Sequence, residues 1–254
     1  MEPVTPEMDQ KEFWNLRAKT FPRYSPDPDS YEAGMLRLAQ GIGADFKGKT
    51  IIDVGCGAGM YTIRLAKEGK FVTALDISEA MLAVNREDAE RENLTNVEYV
   101  NMDWLDFEPR RDYDLLFCSM TPALRSPEGK LKLLSFPKAQ IVYFGFAAPM
   151  KTQSITELFE ACGLKPKIHP TTADQKAFLD GHGIKYRVVG SSGRWEKKLA
   201  KDDFLLNLST SLTFNGGSLG QIDLEGFSER FSDGQGSYVE NTDYQVEVIV
   251  WENN

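Results

Sequence analysis

Cysteine is scarce in this 254-residue chain, and the three that occur, Cys56, Cys118 and Cys162, lie far apart. None belongs to a Cys-x-x-Cys pair, so we expect neither a metal site nor a disulfide framework. A few scattered thiols are typical of a reducing compartment.

Long apolar runs are also missing. The longest, residues 141–148, is far shorter than the roughly 20 residues that a membrane-spanning helix needs. Residues 1–30 are polar and contain several prolines, so no signal peptide is expected. We therefore expect a cytoplasmic protein with no membrane partner.

The chain lacks an excess of basic side chains. It has 38 acidic against 29 basic residues and a formal net charge of -9. Neutralisation of phosphates supplies much of the affinity of nucleic-acid-binding proteins, and an acidic chain opposes it. We therefore expect no nucleic-acid partner. Nothing in the sequence indicates an oligomeric state.

Predicted strands alternate with predicted helices along most of the chain. The strand patterns cover residues 50–54, 71–75, 97–102, 113–119, 139–147, 184–188 and 244–250. Ser78 and Ser126 are placed to cap two of the helices, and Ser154 with Glu157 has the pattern of a capping box. Such alternation predicts a doubly wound α/β fold, with a mostly parallel seven-stranded sheet and helices on both faces.

A glycine-rich stretch follows the first predicted strand, where residues 53–59 read Asp-Val-Gly-Cys-Gly-Ala-Gly. Glycine lets the backbone turn sharply and approach a ligand closely. Asp76 ends the second predicted strand and Asp103 the third. Ligands of open α/β sheets bind at the carboxyl ends of the strands, so these residues predict a small-molecule site. A nicotinamide-binding loop would have its third glycine at position 60, which is Met60.

With these residues, the segment from about 45 to 150 resembles the class I S-adenosylmethionine (SAM)-dependent methyltransferases. The resemblance implies a Rossmann-like fold whose last strand is antiparallel, with SAM as cofactor and S-adenosylhomocysteine (SAH) as product. It also implies methyl transfer by in-line displacement, in which the protein mainly supplies proximity and alignment.

The resemblance further assigns a role to each part of the site. The loop residues Gly55, Cys56, Gly57 and Gly59 would lie against the methionine part of SAM, and Asp53 would hold its ammonium group. Asp76 would accept hydrogen bonds from the ribose hydroxyls. The remaining contacts would be Ile77 on the adenine face, Asp103 at the adenine amino group, Trp104 as a second ring contact, and Cys118 to Thr121 nearest the departing methyl group.

The residues at the end of the fourth predicted strand help to predict which class of molecule accepts the methyl group. Aminopropyl transferases of this fold carry paired aspartates there, and methyltransferases that act on base amines carry an Asn- or Asp-Pro-Pro-aromatic motif. Residues 118–122 read Cys-Ser-Met-Thr-Pro and have neither. We therefore expect a small-molecule acceptor. Two alternatives stay open, a protein methyltransferase and a non-catalytic module that binds SAM or SAH.

The predicted organisation has three parts. Residues 1–44 form a helical cap, residues 45–164 the SAM-binding core, and residues 165–254 the C-terminal part of the same domain, with a lid or acceptor element and the last two strands. In the cap, Tyr24 is expected to face the methyl group and Arg17 the methionine carboxylate, although a plain surface helix fits the pattern as well.

No general base is evident from the sequence. Tyr24 and Thr121 are the substrate-side candidates. His169 and His182 lie outside any motif, and an isolated histidine is more often a surface or core residue than a catalyst.

Overall fold

A computed structural model describes residues 9–165 and 170–254. They form two compact units, each assembled from three segments. The first unit contains residues 9–20, 148–165 and 192–245, and the second contains residues 21–147, 170–191 and 246–254. This division does not coincide with the expected boundaries after residues 44 and 164.

Helices and strands alternate through most of the described chain. The helices are α1 (Gln10–Arg17), α2 (Tyr31–Gly41), α3 (Thr62–Glu68), α4 (Glu79–Arg91), α5 (Pro127–Leu133), α6 (Gln153–Ala161), α7 (Thr172–Gly181), α8 (Lys201–Phe214) and α9 (Leu224–Ser228). The strands are β1 (Thr50–Val54), β2 (Phe71–Asp76), β3 (Val97–Asn101), β4 (Leu115–Ser119), β5 (Gln140–Phe146), β6 (Lys151–Thr152), β7 (Tyr186–Leu199) and β8 (Tyr238–Glu252).

The second unit is built on a mostly parallel sheet in the order β3-β2-β1-β4-β5-β8. The first five strands pair in parallel. The end of β8 runs antiparallel to β5, with Gln140 opposite Glu252 and Phe146 opposite Val246. The predicted α/β class, the mostly parallel sheet and the antiparallel last strand are confirmed, but in the described residues the sheet has eight strands and not the predicted seven.

Both faces of this sheet are apolar, as strands that are covered on both sides require. On one face, Ile52 and Leu116 belong to a buried cluster with Leu133 of α5 and Leu179 of α7. On the other face, aromatic rings contact one another; they are Phe46, Tyr61, Phe117 and Phe144. The packing on both faces leaves only the strand ends and their loops to form a site.

Two of the predicted helix caps are confirmed. Ser78 accepts a hydrogen bond from the Met81 amide, and Ser126 accepts one from the Gly129 amide. The capping box at Ser154 is wrong, because the N-cap of α6 is Thr152, two residues earlier, and Ser154 is buried inside the helix.

The first unit has its own apolar cluster. Its buried members come from α6, α8, α9, the 3-10 turn Glu229–Phe231 and the ends of β7 and β8, and include Phe204, Leu208, Leu212, Phe227 and Phe231. These five residues, which lie between positions 165 and 240, therefore pack the interior of the first unit. A lid or acceptor role for the rest of this segment stays a prediction.

In the described part of the chain, no helix combines the length and the apolar character needed to cross a bilayer.

Candidate functional site

The loop between β1 and α3 has the backbone conformation that its glycines permit. Gly55, Gly57 and Gly59 have φ angles of +67°, +55° and +87°, a region that L-residues rarely adopt. Two of them also lie directly against other side chains. A Cβ on Gly55 would be 2.0 Å from Thr121 Oγ1, and one on Gly59 would be 2.4 Å from Asn85 Cγ. Glycine is therefore required at both positions for two independent reasons.

The carboxylate of Asp76 is attached to this loop. Its Oδ2 accepts a hydrogen bond from the Gly57 amide at 2.8 Å, and its Oδ1 accepts one from the Ser78 amide at 2.8 Å. Burial raises the pKa of Asp76, and these backbone donors oppose that shift. Since each carboxylate oxygen has a second lone pair, Asp76 is held in place and can still accept from a ligand.

Asp53 supplies a second buried carboxylate next to the loop, only 2% exposed. Its Oδ2 accepts a hydrogen bond from the Thr62 hydroxyl of α3 at 2.6 Å. Burial raises the pKa of Asp53 to about 7, the bond from Thr62 lowers it, and the neighbouring Asp76 raises it. The structure thus brings Asp53 and Asp76 together at the carboxyl ends of adjacent strands.

The end of β3 supports the tip of β2 through a residue that the sequence reasoning missed. The Asn101 side-chain amide donates to the carbonyls of Asp76 at 3.0 Å and Ile77 at 2.9 Å. Ile77 is half-buried and Asp103 is exposed. The Asp103 carboxylate accepts a hydrogen bond from the Leu105 amide at 2.8 Å. Asn101 could have been identified from the sequence as a polar residue near the end of the predicted strand 97–102.

Two residues assigned to the site from the sequence are core residues instead. Trp104 is 3% exposed, with its ring stacked on Phe107 and Phe136 and its indole N–H donating to the Gly129 carbonyl at 2.9 Å. The Cys118 side chain is 0% exposed and belongs to the same cluster. Trp104 is therefore not placed as a ring contact for a ligand, and Cys118 could take part only through its backbone.

Thr121 lies beside the glycine loop. Its hydroxyl packs against Gly55 and accepts from the Ala123 amide at 3.2 Å, which caps the short 3-10 turn Pro122–Leu124. Thr121 therefore joins the end of β4 to the glycine loop, and it stays a substrate-side candidate.

Tyr24 is placed on the surface of α3 rather than beside the carboxylates. Its hydroxyl accepts from Lys67 Nζ at 2.8 Å, and its ring lies under the cations of Arg64 and Lys67. The aromatic residue that reaches the loop is Phe21, whose Cε1 is 3.8 Å from the position of a Cβ on Gly57. The sequence did not identify Phe21, because this segment contains several aromatic residues and their spacing does not show which ring reaches the loop.

The remaining candidates are Arg17, His182 and His169. Arg17 belongs to the first unit, where burial lowers its pKa and Glu240 opposes the shift; a role toward the cofactor stays a prediction. His182 is an exposed residue at the end of α7, with Nδ1 2.7 Å from the Phe178 carbonyl oxygen. His169 lies outside the described residues.

The segment that holds the glycine loop is similar to known methyltransferases. Residues 51–135 match a family model described as a methyltransferase domain. A ubiquinone biosynthesis O-methyltransferase of Acinetobacter baumannii is 34% identical over 110 residues, which are 42% of this chain and 46% of that protein. The match thus spans less than half the length of this relative.

Solved structures give the fold. The YcgJ protein of Bacillus subtilis superposes with a TM-score of 0.55 at 12% identity, over 88% of this chain and 98% of that one. Magnesium protoporphyrin IX methyltransferase of Synechocystis, solved with SAH, superposes with a TM-score of 0.51 at 17% identity, over 94% of this chain and 84% of that one. The chain therefore has the Rossmann-like α/β fold of these two structures, and its residues 51–135 are similar to a methyltransferase domain.

Proposed function

We propose that this protein is a SAM-dependent methyltransferase that transfers the methyl group of SAM to a small-molecule acceptor by in-line displacement. The observation that carries the proposal is the hydrogen bond from Gly57 to Asp76. It holds a carboxylate against a glycine loop within residues that match a methyltransferase domain.

The donors and acceptors at the site fit SAM. The glycine loop offers backbone with no side chain in the way, and Asp53 is a buried carboxylate suited to the ammonium group of the cofactor. Asp76 has free lone pairs for the ribose hydroxyls, and the exposed Asp103 can accept from the adenine amino group. When bound, SAM supplies an activated methyl group on a sulfonium, so the residues of the chain need to bind, align and exclude water.

A small-molecule acceptor is supported by the relative from Acinetobacter, whose name places its O-methylation in ubiquinone biosynthesis. The net charge of -9 disfavours a nucleic acid, and residues 119–122 lack the motif of base-amine methyltransferases. Because this relative is named as an O-methyltransferase, an oxygen acceptor is the first class to test.

The experiment incubates the purified protein with methyl-labelled SAM and a panel of phenols, amines, thiols and carboxylic acids, plus a basic peptide. Formation of SAH and of a labelled small molecule is expected with one class, and the same reaction with Asp76→Ala is the control. A labelled peptide without labelled small molecules would favour a protein methyltransferase. Saturable SAH binding with no labelled product would favour a non-catalytic module.

A further inference from the structure

Asn85 of α4 is a fully buried side chain next to the glycine loop. Its Nδ2 donates to the Thr62 hydroxyl at 3.0 Å and lies 3.6 Å from Cys56 Sγ. Its side chain also fills the space where a Cβ on Gly59 would be. Asn85 therefore contacts α3 and two residues of the loop.

The bond from Asn85 sets the direction of the Thr62 hydroxyl. A hydroxyl has one proton to donate, and Thr62 donates it to Asp53 Oδ2 at 2.6 Å. The amide nitrogen of Asn85 can only donate, so it occupies an acceptor position on Thr62 Oγ1 and leaves the hydroxyl proton directed at Asp53. The two hydrogen bonds form a relay from Asn85 through Thr62 to the carboxylate.

Packing of the folded protein does not require an amide side chain at position 85. In the described chain, nothing donates to Asn85 Oδ1, although that atom is buried. A buried acceptor without a donor destabilises the folded state. Leucine has a similar size and would fill the same space without leaving such an atom, which favours a functional reason for the amide.

The surroundings of Asp53 oppose its ionisation. Burial raises its pKa, and so does the charge of Asp76 on β2. Burial and the charge of Asp53 in turn raise the pKa of the thiols of Cys56 in the loop and Cys118 on β4, which therefore stay neutral. The bond from Thr62 is the contact that favours the charged carboxylate.

We propose that Asn85 is a positioning residue for the cofactor, because it fixes the Thr62 hydroxyl as a donor that keeps Asp53 ionised and oriented toward the ammonium group of SAM. This inference rests on the proposed function, since it takes Asp53 as the residue that holds that group.

The test measures the affinity for SAH by calorimetry from about pH 5.5 to pH 8.5. The variants are Asn85→Leu, Thr62→Val and the double variant, with Thr62→Ser as the matched control that keeps the hydroxyl. In the wild type, affinity falls as the pH drops through the titration of Asp53. Asn85→Leu and Thr62→Val should each move this fall to higher pH, with affinity about tenfold lower near pH 7 and recovering at the alkaline end.

The double variant should be no worse than Thr62→Val, because the relay is already broken there, and Thr62→Ser should follow the wild type. An equal loss of affinity at every pH in Asn85→Leu would overturn the proposal, since it would indicate packing alone. The proposal would also be overturned if Asn85→Leu lowered the affinity of Thr62→Val as much as it lowers that of the wild type. Thermal melting identifies a variant that fails to fold, and if Asn85→Leu is one, Thr62→Val against Thr62→Ser decides whether the hydroxyl acts on Asp53. If the wild type does not bind SAH at any pH, the proposed function itself fails.

Discussion

The carboxylate of Asp76 accepts a hydrogen bond from the amide of Gly57 at 2.8 Å, and this bond joins the tip of β2 to the loop after β1. The second oxygen of the same carboxylate holds the Ser78 amide at the start of α4. One side chain therefore holds both the glycine loop and the start of the next helix in place. Such preorganisation lowers the cost of binding.

Substituting Gly55 should reduce both stability and cofactor binding. Alanine at a positive φ is strained by about 1–2 kcal/mol, and at Gly55 the new Cβ would also clash with Thr121. Gly48→Ala is the matched control, because Gly48 has nearly the same φ, +68°, with no atom within 4 Å of an added Cβ. Thermal melting and SAH titration should show that Gly55→Ala loses more stability than Gly48→Ala and that only Gly55→Ala loses affinity. Equal losses in the two variants would contradict the close packing of the loop on Thr121.

Asp53 should make stability depend on pH. Its pKa is about 7 in the folded protein and about 3.9 in an unfolded chain. Its contribution is therefore full below about pH 4 and is lost as the pH rises toward 7. Relative to the wild type, Asp53→Asn should gain stability over this range, at up to about 1.4 kcal/mol per pH unit, and keep a constant advantage above it.

Urea unfolding at a series of pH values measures this difference. The exposed Asp106 provides the control, and Asp106→Asn should give a curve parallel to that of the wild type. A parallel curve for Asp53→Asn as well would show that Asp53 is not a buried acid of raised pKa.

Trp104 should matter for stability and not for the cofactor. Trp104→Phe removes the donor to the Gly129 carbonyl and leaves space between Phe107 and Phe136, which should cost about 1–3 kcal/mol. Affinity for SAH should be unchanged within error. A variant that melts like the wild type but binds SAH weakly would restore Trp104 as a ring contact.

The parts of the fold and site that were predictable follow local rules. β1, β2 and β4 are apolar runs that end at polar or glycine residues, so their positions and their carboxyl ends could be identified. Asp53, Asp76 and the glycines occur at those ends, and the resemblance to the methyltransferases then gave their roles.

The parts that were not predictable depend on which way a side chain points. Trp104 follows Asp103 directly, yet Asp103 is exposed and Trp104 is buried, because an apolar cluster is available on one side of the loop. Asn85 lies 29 residues after Cys56, and no local pattern connects the two. β7 was predicted as five residues and covers Tyr186–Leu199, since much of it is too polar to have the alternation of a strand. β6 has only two residues, which is too short for the alternating pattern that predicts a strand.

The most direct test of the account is the titration of SAH into the purified wild-type protein and Asp76→Ala. Saturable binding to the wild type is expected, with a loss of about tenfold or more in Asp76→Ala, because hydrogen bonds to a charged group contribute roughly 1.5–3 kcal/mol each. Absence of saturable binding to the wild type, or unchanged affinity in Asp76→Ala while the variant melts as a folded protein, would contradict the assignment of this loop and carboxylate as the cofactor site.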